Sequence, residues 1–408
     1  MIFKPVTKQP GFTEFVILVA FIISLVALSI DAMLPALPMI AEDLNFANPN
    51  HGHLIISMLF VGMGFGQMIF GPMSDSTGRK PAIIIGILIF AVGSLISYFS
   101  NSMESMMIGR FLQGLGASGP RIVSVALVRD RYEGRQMARV MSFVMTIFIL
   151  VPVFAPAVGQ LILLFSDWRA IFGLFLLMSL STLIWFASRQ PETLLVEKRT
   201  RFSFRQMLRD SKAIALIPVA TGYTLTMGFL FGAFLGYLSS SQQIFQIQYQ
   251  LGQLFAVYFG VLALAIGLAA LVNARLVIRF GMRRLSFIAM TMIALLSTPF
   301  YLLTMVFEGH PPLWMLMAYL LAVFFFLGIL FGNLNALAME PLGRIAGLGS
   351  ALVGSVSTLI SVIFGAFIAD SYDGTIIPLV MGFAALSVIC LITMHYTERL
   401  AERLARVT

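Results

Sequence analysis

The sequence predicts an all-α membrane protein with twelve transmembrane helices in two six-helix halves. Of its 408 residues, 59% are hydrophobic and 11% are charged, whereas a soluble domain usually carries about 25% charged residues. Its mean hydropathy is +0.95. So much apolar surface does not fit inside one globular core, and a bilayer is its natural solvent. Apolar runs recur along the whole chain and are divided once, near the middle, by a basic segment.

Twelve segments contain the run of about 20 apolar residues that a transmembrane helix needs. They lie at 14–40, 52–73, 81–100, 104–127, 138–165, 168–188, 213–239, 251–273, 285–307, 313–338, 347–369 and 374–395. The connections between them are short, except for the polar segment RQPETLLVEKRTRFSFRQMLRDSK. We therefore predict an N-terminal six-helix bundle over residues 1–188, a central cytoplasmic loop over 189–212 and a C-terminal six-helix bundle over 213–408.

The first apolar segment has to be distinguished from a signal peptide, because Lys4 and Lys8 precede it. It is too long for a signal peptide, it contains Asp31, and it has no small-residue cleavage site before it continues into PALP. We interpret it as the first membrane helix.

The lysines and arginines predict the orientation in the membrane. If the N-terminus is cytoplasmic, 23 of the 26 lie in inward loops and at the two termini, Arg169 lies in an outward loop, and Arg110 and Arg121 lie inside the fourth span. This distribution follows the positive-inside rule and places both termini in the cytoplasm. Topology therefore accounts for the net charge of +8, and we expect no binding to nucleic acid.

No arrangement of residues in the sequence predicts an enzyme or a metal site. The single cysteine, Cys390, permits no intramolecular disulfide. His51 and His53 have a spacing that binds metal weakly, but no acid or cysteine cluster completes a site. The run GLGASG, residues 114–119, lies within an apolar span and follows no strand, so we interpret it as helix packing. Since no phosphate-binding loop for ATP is present either, we expect no cofactor.

The two halves carry related loops. The loop after span two reads GPMSDSTGRKP (71–81), and the loop after span eight reads NARLVIRFGMRRL (273–285). Each has a glycine just before a basic pair, and the two glycines are 203 positions apart, half the length of the chain. This offset predicts two parallel six-helix repeats.

Four motifs resemble those of a known family. GPMSDSTGRKP resembles the G-x-x-x-D-x-x-G-R-[KR] loop signature of the major facilitator superfamily, and IGRFLQGLGASGP (108–120) resembles its R-x-x-Q-G motif in helix four. VPVFAPAVGQ (151–160) is similar to the Gly/Pro-rich helix-five motif of drug:proton antiporters, with Ala155 and Gln160 where that pattern prefers glycine. DAMLPALP and ALVRDRY look like the bicyclomycin and chloramphenicol resistance (Bcr/CflA) branch of twelve-helix exporters.

The resemblance covers essentially the whole chain. It implies a major facilitator fold whose substrate site lies between the halves near the middle of the membrane. It also implies proton-coupled export, with the proton gradient as the source of energy.

The resemblance implies a cytoplasmic gate in the first repeat loop. In the superfamily this loop latches the outward-open state by binding the other half. Glycines permit a close helix approach and a sharp turn there, and charged groups form ion pairs with neighbouring helix ends. We assign to this gate Gly71, Asp75, Gly78, Arg79, Lys80 and Asp130. A solvated turn with topogenic charges is the alternative. The second repeat lacks an acid at the place of Asp75, and Glu340 in MEPLGR is a candidate replacement.

Asp31 and Arg110 are the candidate proton-coupling residues. By helix rise, both lie in the outer half of the membrane at similar depths, which predicts that they are close to each other, directly or through water. Loss of water favours the neutral form of a carboxyl group, whereas a neighbouring guanidinium favours the charged form, so such a group can take up and release a proton. Gln113, one turn from Arg110, is expected to bond to Arg110 or to substrate. A structural ion pair, or a solvated Asp31 at the interface, are the alternatives.

Further candidates lie in other spans. Pro152, Pro156 and Gly159 form the helix-five motif, which either seals helix five against helix eight, as in the family, or is an ordinary kinked packing helix. Arg121 either snorkels towards the interface or contacts an anionic substrate. As substrate-binding residues we predict, besides Asp31, Arg110 and Gln113, the residues Tyr223, Phe229, Asn333 and Asn335.

The sequence thus predicts a proton-coupled secondary active transporter that exports small amphipathic compounds across the bacterial inner membrane and acts as a monomer. A dedicated metabolite or siderophore transporter of the same fold is the first alternative, and Arg121 would suit an anionic cargo. An uncoupled facilitator is the second alternative, which the buried Asp31 disfavours.

Overall fold

The computed structural model describes residues 10–46, 48–200 and 203–407, and all the regular secondary structure in these residues is helical. Lys4 and Lys8, which the orientation argument uses, lie outside them. The chain divides into two compact units, the first ending at Phe204 and the second beginning at Arg205. This division falls within the segment 189–212 of the sequence prediction.

The described part of unit one contains seven α-helices: α1 (Phe12–Asp31), α2 (Leu37–Asp43), α3 (Leu54–Thr77), α4 (Arg79–Tyr98), α5 (Met103–Arg131), α6 (Gly134–Leu163) and α7 (Arg169–Arg189). A short 3-10 turn, Leu34–Ala36, joins α1 to α2, because Pro35 and Pro38 cannot donate the backbone hydrogen bonds that would continue α1. α1 and α2 together make one membrane-crossing segment, Phe12–Asp43.

Unit two contains α8 (Phe204–Ala215), α9 (Pro218–Gln242), α10 (Phe255–Phe280), α11 (Met282–Val306), α12 (Leu313–Met339), α13 (Ala346–Asp370) and α14 (Ile377–Val407). α8 is short and polar and lies largely within the segment that the sequence predicted as a loop. A π-helix, Gln243–Gln248, extends α9. α14 continues twelve residues beyond the predicted end of the last span at 395.

Twelve helical segments of the described chain are long and apolar enough to cross a membrane. They correspond in order to the twelve predicted spans, and the predicted all-α fold class is confirmed. Every polar backbone group in a bilayer needs an internal partner, which is why the spans are helical.

Small residues let the helices of unit one approach closely. A side chain at Gly114 or Gly62 would collide with the backbone of the facing helix, α3 or α5, and one at Gly116 would collide with the backbone of Phe90 in α4. The run GLGASG is therefore a packing surface, as predicted. Unit two packs α9 against α13 in a similar way, with Gly228 and Gly232 facing Ile360 and Phe364.

Candidate functional site

Asp31 is the last residue of α1, and its side chain is buried at 5% exposure. The amide of the next residue, Ala32, still donates to the carbonyl of Leu28, so Asp31 lies where the helix gives way to the proline turn. Asp31 forms no hydrogen bond or ion pair with any residue in the described part of the chain. A buried carboxyl group without an ion pair is stable either as the neutral acid or after a cationic partner has bound to it.

Arg110 in α5 is completely buried, and its guanidinium is directed at backbone carbonyls. Nε donates to the carbonyl of Ile55 in α3 at 3.0 Å, and Nη2 donates to the carbonyl of Ser29 in α1 at 3.1 Å. The guanidinium also lies 5.9 Å from the ring centre of Phe172 in α7. Arg110 therefore connects α1, α3, α5 and α7.

Of the two predicted forms of the contact between Asp31 and Arg110, the direct ion pair is not present among the described residues, where the Arg110 guanidinium donates to Ser29, Ile55 and Gln113. The contact through water stays a prediction. The contact with Ser29, two residues before Asp31, places Arg110 at the depth of the end of α1, which agrees with the predicted common depth.

Gln113 links Arg110 to α4. Its Oε1 accepts a hydrogen bond from Nη1 of Arg110 at 2.7 Å, and its Nε2 donates to the hydroxyl of Ser94 at 2.8 Å. Gln113 is completely buried. Of the two predicted partners of Gln113, the structure contains Arg110.

The helix-five motif lies on α6, next to the end of α1. A side chain at Gly159 would collide with the backbone carbonyl of Ala32, the residue that follows Asp31. Pro152 and Pro156 lie inside the same helix, where each removes a backbone hydrogen bond. Within unit one, the motif therefore allows α6 to approach the turn that holds Asp31.

The predicted gate residues of unit one converge on Arg79, the first residue of α4. Its side chain is only 5% exposed and forms ion pairs with Asp75 and, at 2.9 Å, with Asp130 at the end of α5. Its Nη1 also donates to the hydroxyl of Ser74 at 3.0 Å. Gly78 has a φ of +113°, which lets the chain turn sharply from α3 into α4. The predicted pair Arg79–Asp130 is therefore present.

Glu192, which the sequence did not single out, caps α4. Its carboxylate accepts hydrogen bonds from the backbone amides of Arg79 at 2.9 Å and Lys80 at 3.1 Å. It also accepts from the amides of Thr193 and Leu194. A carboxylate at a helix N-terminus satisfies free amides and complements the helix dipole. Lys80 itself donates to the carbonyl of Ala187 in α7 at 2.7 Å.

The corresponding loop of unit two forms a more open network around Arg283. This arginine is 52% exposed and pairs with Glu340 at 3.0 Å and with Glu398 of α14 at 3.3 Å. Glu340 was the predicted acid of this loop. Glu398 was missed, because the last span was predicted to end at 395.

Tyr223, one of the predicted substrate-binding residues, belongs to the Arg283 network in this structure, because its hydroxyl donates to Oε1 of Glu398. The start of α9 explains this position: α8 ends at Ala215 and α9 begins at Pro218, which places Tyr223 in the second turn of α9. Its contact with substrate stays a prediction. Phe229, nearly two turns further on, packs edge-on against Phe364 of α13 with ring centres 5.2 Å apart.

The two asparagines predicted on helix ten have different environments. Asn333 is buried and forms a reciprocal amide pair with Asn273 of α10, at 2.9 and 3.1 Å. Asn335 is exposed. Asn333 therefore joins α12 to α10 in this structure, while Asn335 keeps its amide at the surface. Asn273 had no signal in the sequence other than being a polar residue at the end of a span.

Comparisons with known proteins agree on the family. The sequence profile of the Major Facilitator Superfamily matches residues 19–365. The chain belongs to this superfamily.

Among curated proteins, the "Uncharacterized MFS-type transporter YdgK" of Bacillus subtilis is 32% identical over 369 residues, which cover 88% of this chain and 90% of that protein. The "Bicyclomycin resistance protein homolog" of Haemophilus influenzae is 28% identical, over 95% of this chain and 97% of that protein. Among solved structures, the human organic anion transporter MFSD10 has a TM-score of 0.73 at 19% identity, over 95% of this chain and 100% of that one, which shows a shared fold.

The family places the chain among transporters that carry small molecules across membranes, and the twelve membrane-crossing segments make it a multi-pass membrane protein. The expected transporter class is therefore confirmed.

Proposed function

We propose that this protein exports small amphipathic compounds from the cytoplasm across the bacterial inner membrane in exchange for protons. It acts as a monomer with both termini in the cytoplasm and uses the proton gradient without a cofactor. The printed name of the Haemophilus influenzae relative, a bicyclomycin resistance protein homolog, supports an antibiotic-like cargo.

The observation that carries the proposal is the buried carboxyl group of Asp31. An ion-paired aspartate would remain charged, but Asp31 has no such pair within the described residues, and Arg110 donates to carbonyls instead. Burial favours the protonated form, and entry of water or of a polar cargo favours the charged form. Asp31 is therefore suited to bind a proton in one state and release it in the other.

Arg110 contributes to this exchange by its position. It bonds to the carbonyl of Ser29, two residues from Asp31, and so holds the end of α1 against α5. A movement of α1 relative to α5 would break this bond and change the surroundings of Asp31. Gln113 and Ser94 fix the direction of the guanidinium.

The test is the accumulation of a panel of antibiotics and dyes in cells that lack their own efflux pumps. Wild type is compared with Asp31→Asn and, as a control, with Glu42→Gln, an exposed acid on the same membrane-crossing segment. Expression is matched, and a protonophore is added in a parallel series. We expect wild type and Glu42→Gln to lower accumulation of some compounds, and Asp31→Asn or the protonophore to restore it.

Each contrary result has its own meaning. Export by Asp31→Asn at the wild-type rate would show that Asp31 is structural. Export that survives the protonophore while remaining dependent on a cargo gradient would indicate an uncoupled facilitator. A wild type that exports none of the compounds would favour the dedicated metabolite or siderophore transporter.

A further inference from the structure

Arg121 is a cation within the membrane-crossing part of α5 for which the mechanism above has no use. It lies 18 residues after the start of α5 and ten before its end, so it is about 15 Å from the end of α5 that carries Arg131. The side chain is half-buried. Placing a guanidinium at this depth costs a few kcal/mol, and such residues usually mark a functional site.

Three arginines are spaced along α5. Arg121 follows Arg110 by eleven residues, about three turns, so these two lie on one face of the helix, and Arg131 follows Arg121 by ten residues and is rotated from it by about 80°. Arg110 and Arg131 both donate to backbone carbonyls in or beside α1, those of Ser29 and Pro10. Arg131 also lies over the ring of Phe15, with its guanidinium 4.5 Å from the ring centre.

Arg121, the middle member of this row, forms no hydrogen bond or ion pair with any residue that the structure describes. Its neighbours explain why. The α1 segment between the two arginine contacts contains the run VILVAFII, residues 16–23, which offers no side-chain acceptor. α4, α6 and α7 contain no carboxylate, and the acids of α3 and α5 lie at the helix ends.

Asp31 lies close to the level of Arg110, which bonds to the carbonyl of Ser29 two residues before it. This level is about 16 Å from that of Arg121. One further polar group is close to Arg121 along the helix. Ser124, three residues on, is completely buried, and its hydroxyl has no hydrogen-bond partner in the described residues.

We infer that Arg121, assisted by Ser124, binds an anionic group of the cargo, a carboxylate, sulfonate or phosphate. The planar guanidinium binds such groups with two parallel hydrogen bonds, and the low polarity of its surroundings strengthens them. The inference rests on the proposed export function and narrows its cargo to acidic or zwitterionic amphipaths.

The experiment measures binding, which makes it independent of export. The full-length protein is purified in a nonionic detergent free of phospholipid, so that lipid phosphate does not occupy the site. Isothermal titration then compares 1-naphthoate with 1-naphthamide, which share the ring system and differ in charge. The variants are Arg121→Gln and Arg121→Lys, and the control is Arg129→Gln, an exposed arginine on the same helix.

We expect wild type and Arg129→Gln to bind 1-naphthoate at least about tenfold more tightly than 1-naphthamide, which is the size of effect that a charge-assisted hydrogen bond gives. Arg121→Gln should bind the two compounds equally. Arg121→Lys should keep a reduced preference, because lysine retains the charge but not the two parallel bonds. If Arg121→Gln does not fold, the ratio of the two affinities in Arg121→Lys tests the inference by itself.

Three results would overturn the inference: a wild type without preference for the carboxylate, an Arg121→Gln or Arg121→Lys variant with undiminished preference, or an equal loss in Arg129→Gln. The first two would identify Arg121 as a cation that reaches the lipid interface. A carboxylate preference in a protein that exports no drug would contradict the proposed function and leave the anion site in place.

Discussion

Arg79 and Arg283 stand at equivalent places in the two units, each in the first turn of a helix that follows a glycine turn. Their surroundings differ. Arg79 is 5% exposed and is held by Asp75, Asp130 and Ser74. Arg283 is 52% exposed and is held by Glu340 and Glu398, the first of which is 49% exposed. Salt and water screen the second network much more than the first.

The N-termini of α4 and α11, which carry Arg79 and Arg283, also differ, and again the one in unit one has more partners. α4 begins with its amides bonded to the carboxylate of Glu192, whereas α11 begins after Gly281 without a side-chain cap. The repeat loop of unit one is therefore closed by residues of the segment after α7, and the loop of unit two depends on the exposed Glu340 and the half-buried Glu398. We expect the first loop to be rigid and the second to rearrange easily.

The largest expected effect is that of removing the two arginines in turn. Arg79→Gln leaves Asp75 and Asp130 beside each other without their cation, and we expect the free energy of unfolding to fall by about 3–5 kcal/mol. Arg283→Gln should cost less, about 1 kcal/mol, because Arg283 itself is 52% exposed in both of its pairs. Thermal unfolding of the purified variants in detergent measures both.

The control for this pair is Arg275→Gln, which removes a cation of α10 and is expected to leave stability unchanged. Equal losses for Arg79→Gln and Arg283→Gln would show that the two networks are equivalent in strength, despite their difference in exposure.

The twelve spans were predictable because the bilayer imposes a simple rule on sequence, a long apolar run for each crossing. The glycine turn at Gly78 and the pair Arg79–Asp130 were predictable because the motif fixes their residue types. The partners of Arg110 were not, since its acceptors are backbone carbonyls, which every residue carries. The residue type therefore does not indicate which backbone carbonyl accepts the hydrogen bond.

Other parts of the site depend on distant segments. Glu192 bonds to an amide 113 positions away, and nothing local in QPETL distinguishes it from an acid in solvent. Glu398 and Asn273 lie near the ends of spans, where the boundaries are least certain. The bond of Tyr223 to Glu398 was not predicted for the same reason, because the sequence did not predict the separate helix α8.

The second comparison concerns the two glycines. Both have positive φ, +113° at Gly78 and +75° at Gly281, so an alanine is strained at either position. A side chain at Gly78 would also collide with the carboxylate of Glu192, whereas a side chain at Gly281 has no atom within 4 Å. We expect Gly281→Ala to cost about 1–2 kcal/mol and Gly78→Ala to cost about 1 kcal/mol more, through loss of the cap.

Hydrogen exchange checks the reason for this difference. In Gly78→Ala the amides of Arg79 and Lys80 should lose protection, and in Gly281→Ala the amides at the start of α11 should change little. If Glu192→Ala destabilises the Gly78→Ala variant as much as it destabilises wild type, the cap survives in Gly78→Ala, and strain in the turn accounts for the whole effect.

The smallest expected effect is the most direct measure of screening. A double-mutant cycle of Arg283→Gln with Glu340→Gln should give a coupling below about 1 kcal/mol at low salt, because both groups are exposed. Raising the salt from about 0.1 M to about 1 M shortens the Debye length from about 10 Å to about 3 Å, and the coupling should then vanish. The matched cycle of Arg79→Gln with Asp130→Asn should keep most of its coupling, because Arg79 is 5% and Asp130 17% exposed. If both couplings decrease with salt in the same proportion, water reaches Arg79 as readily as Arg283, and the first loop is not closed in solution. If only the Arg283 coupling decreases, water and salt reach the repeat loop of unit two but not that of unit one, as the exposures of Arg79 and Arg283 predict.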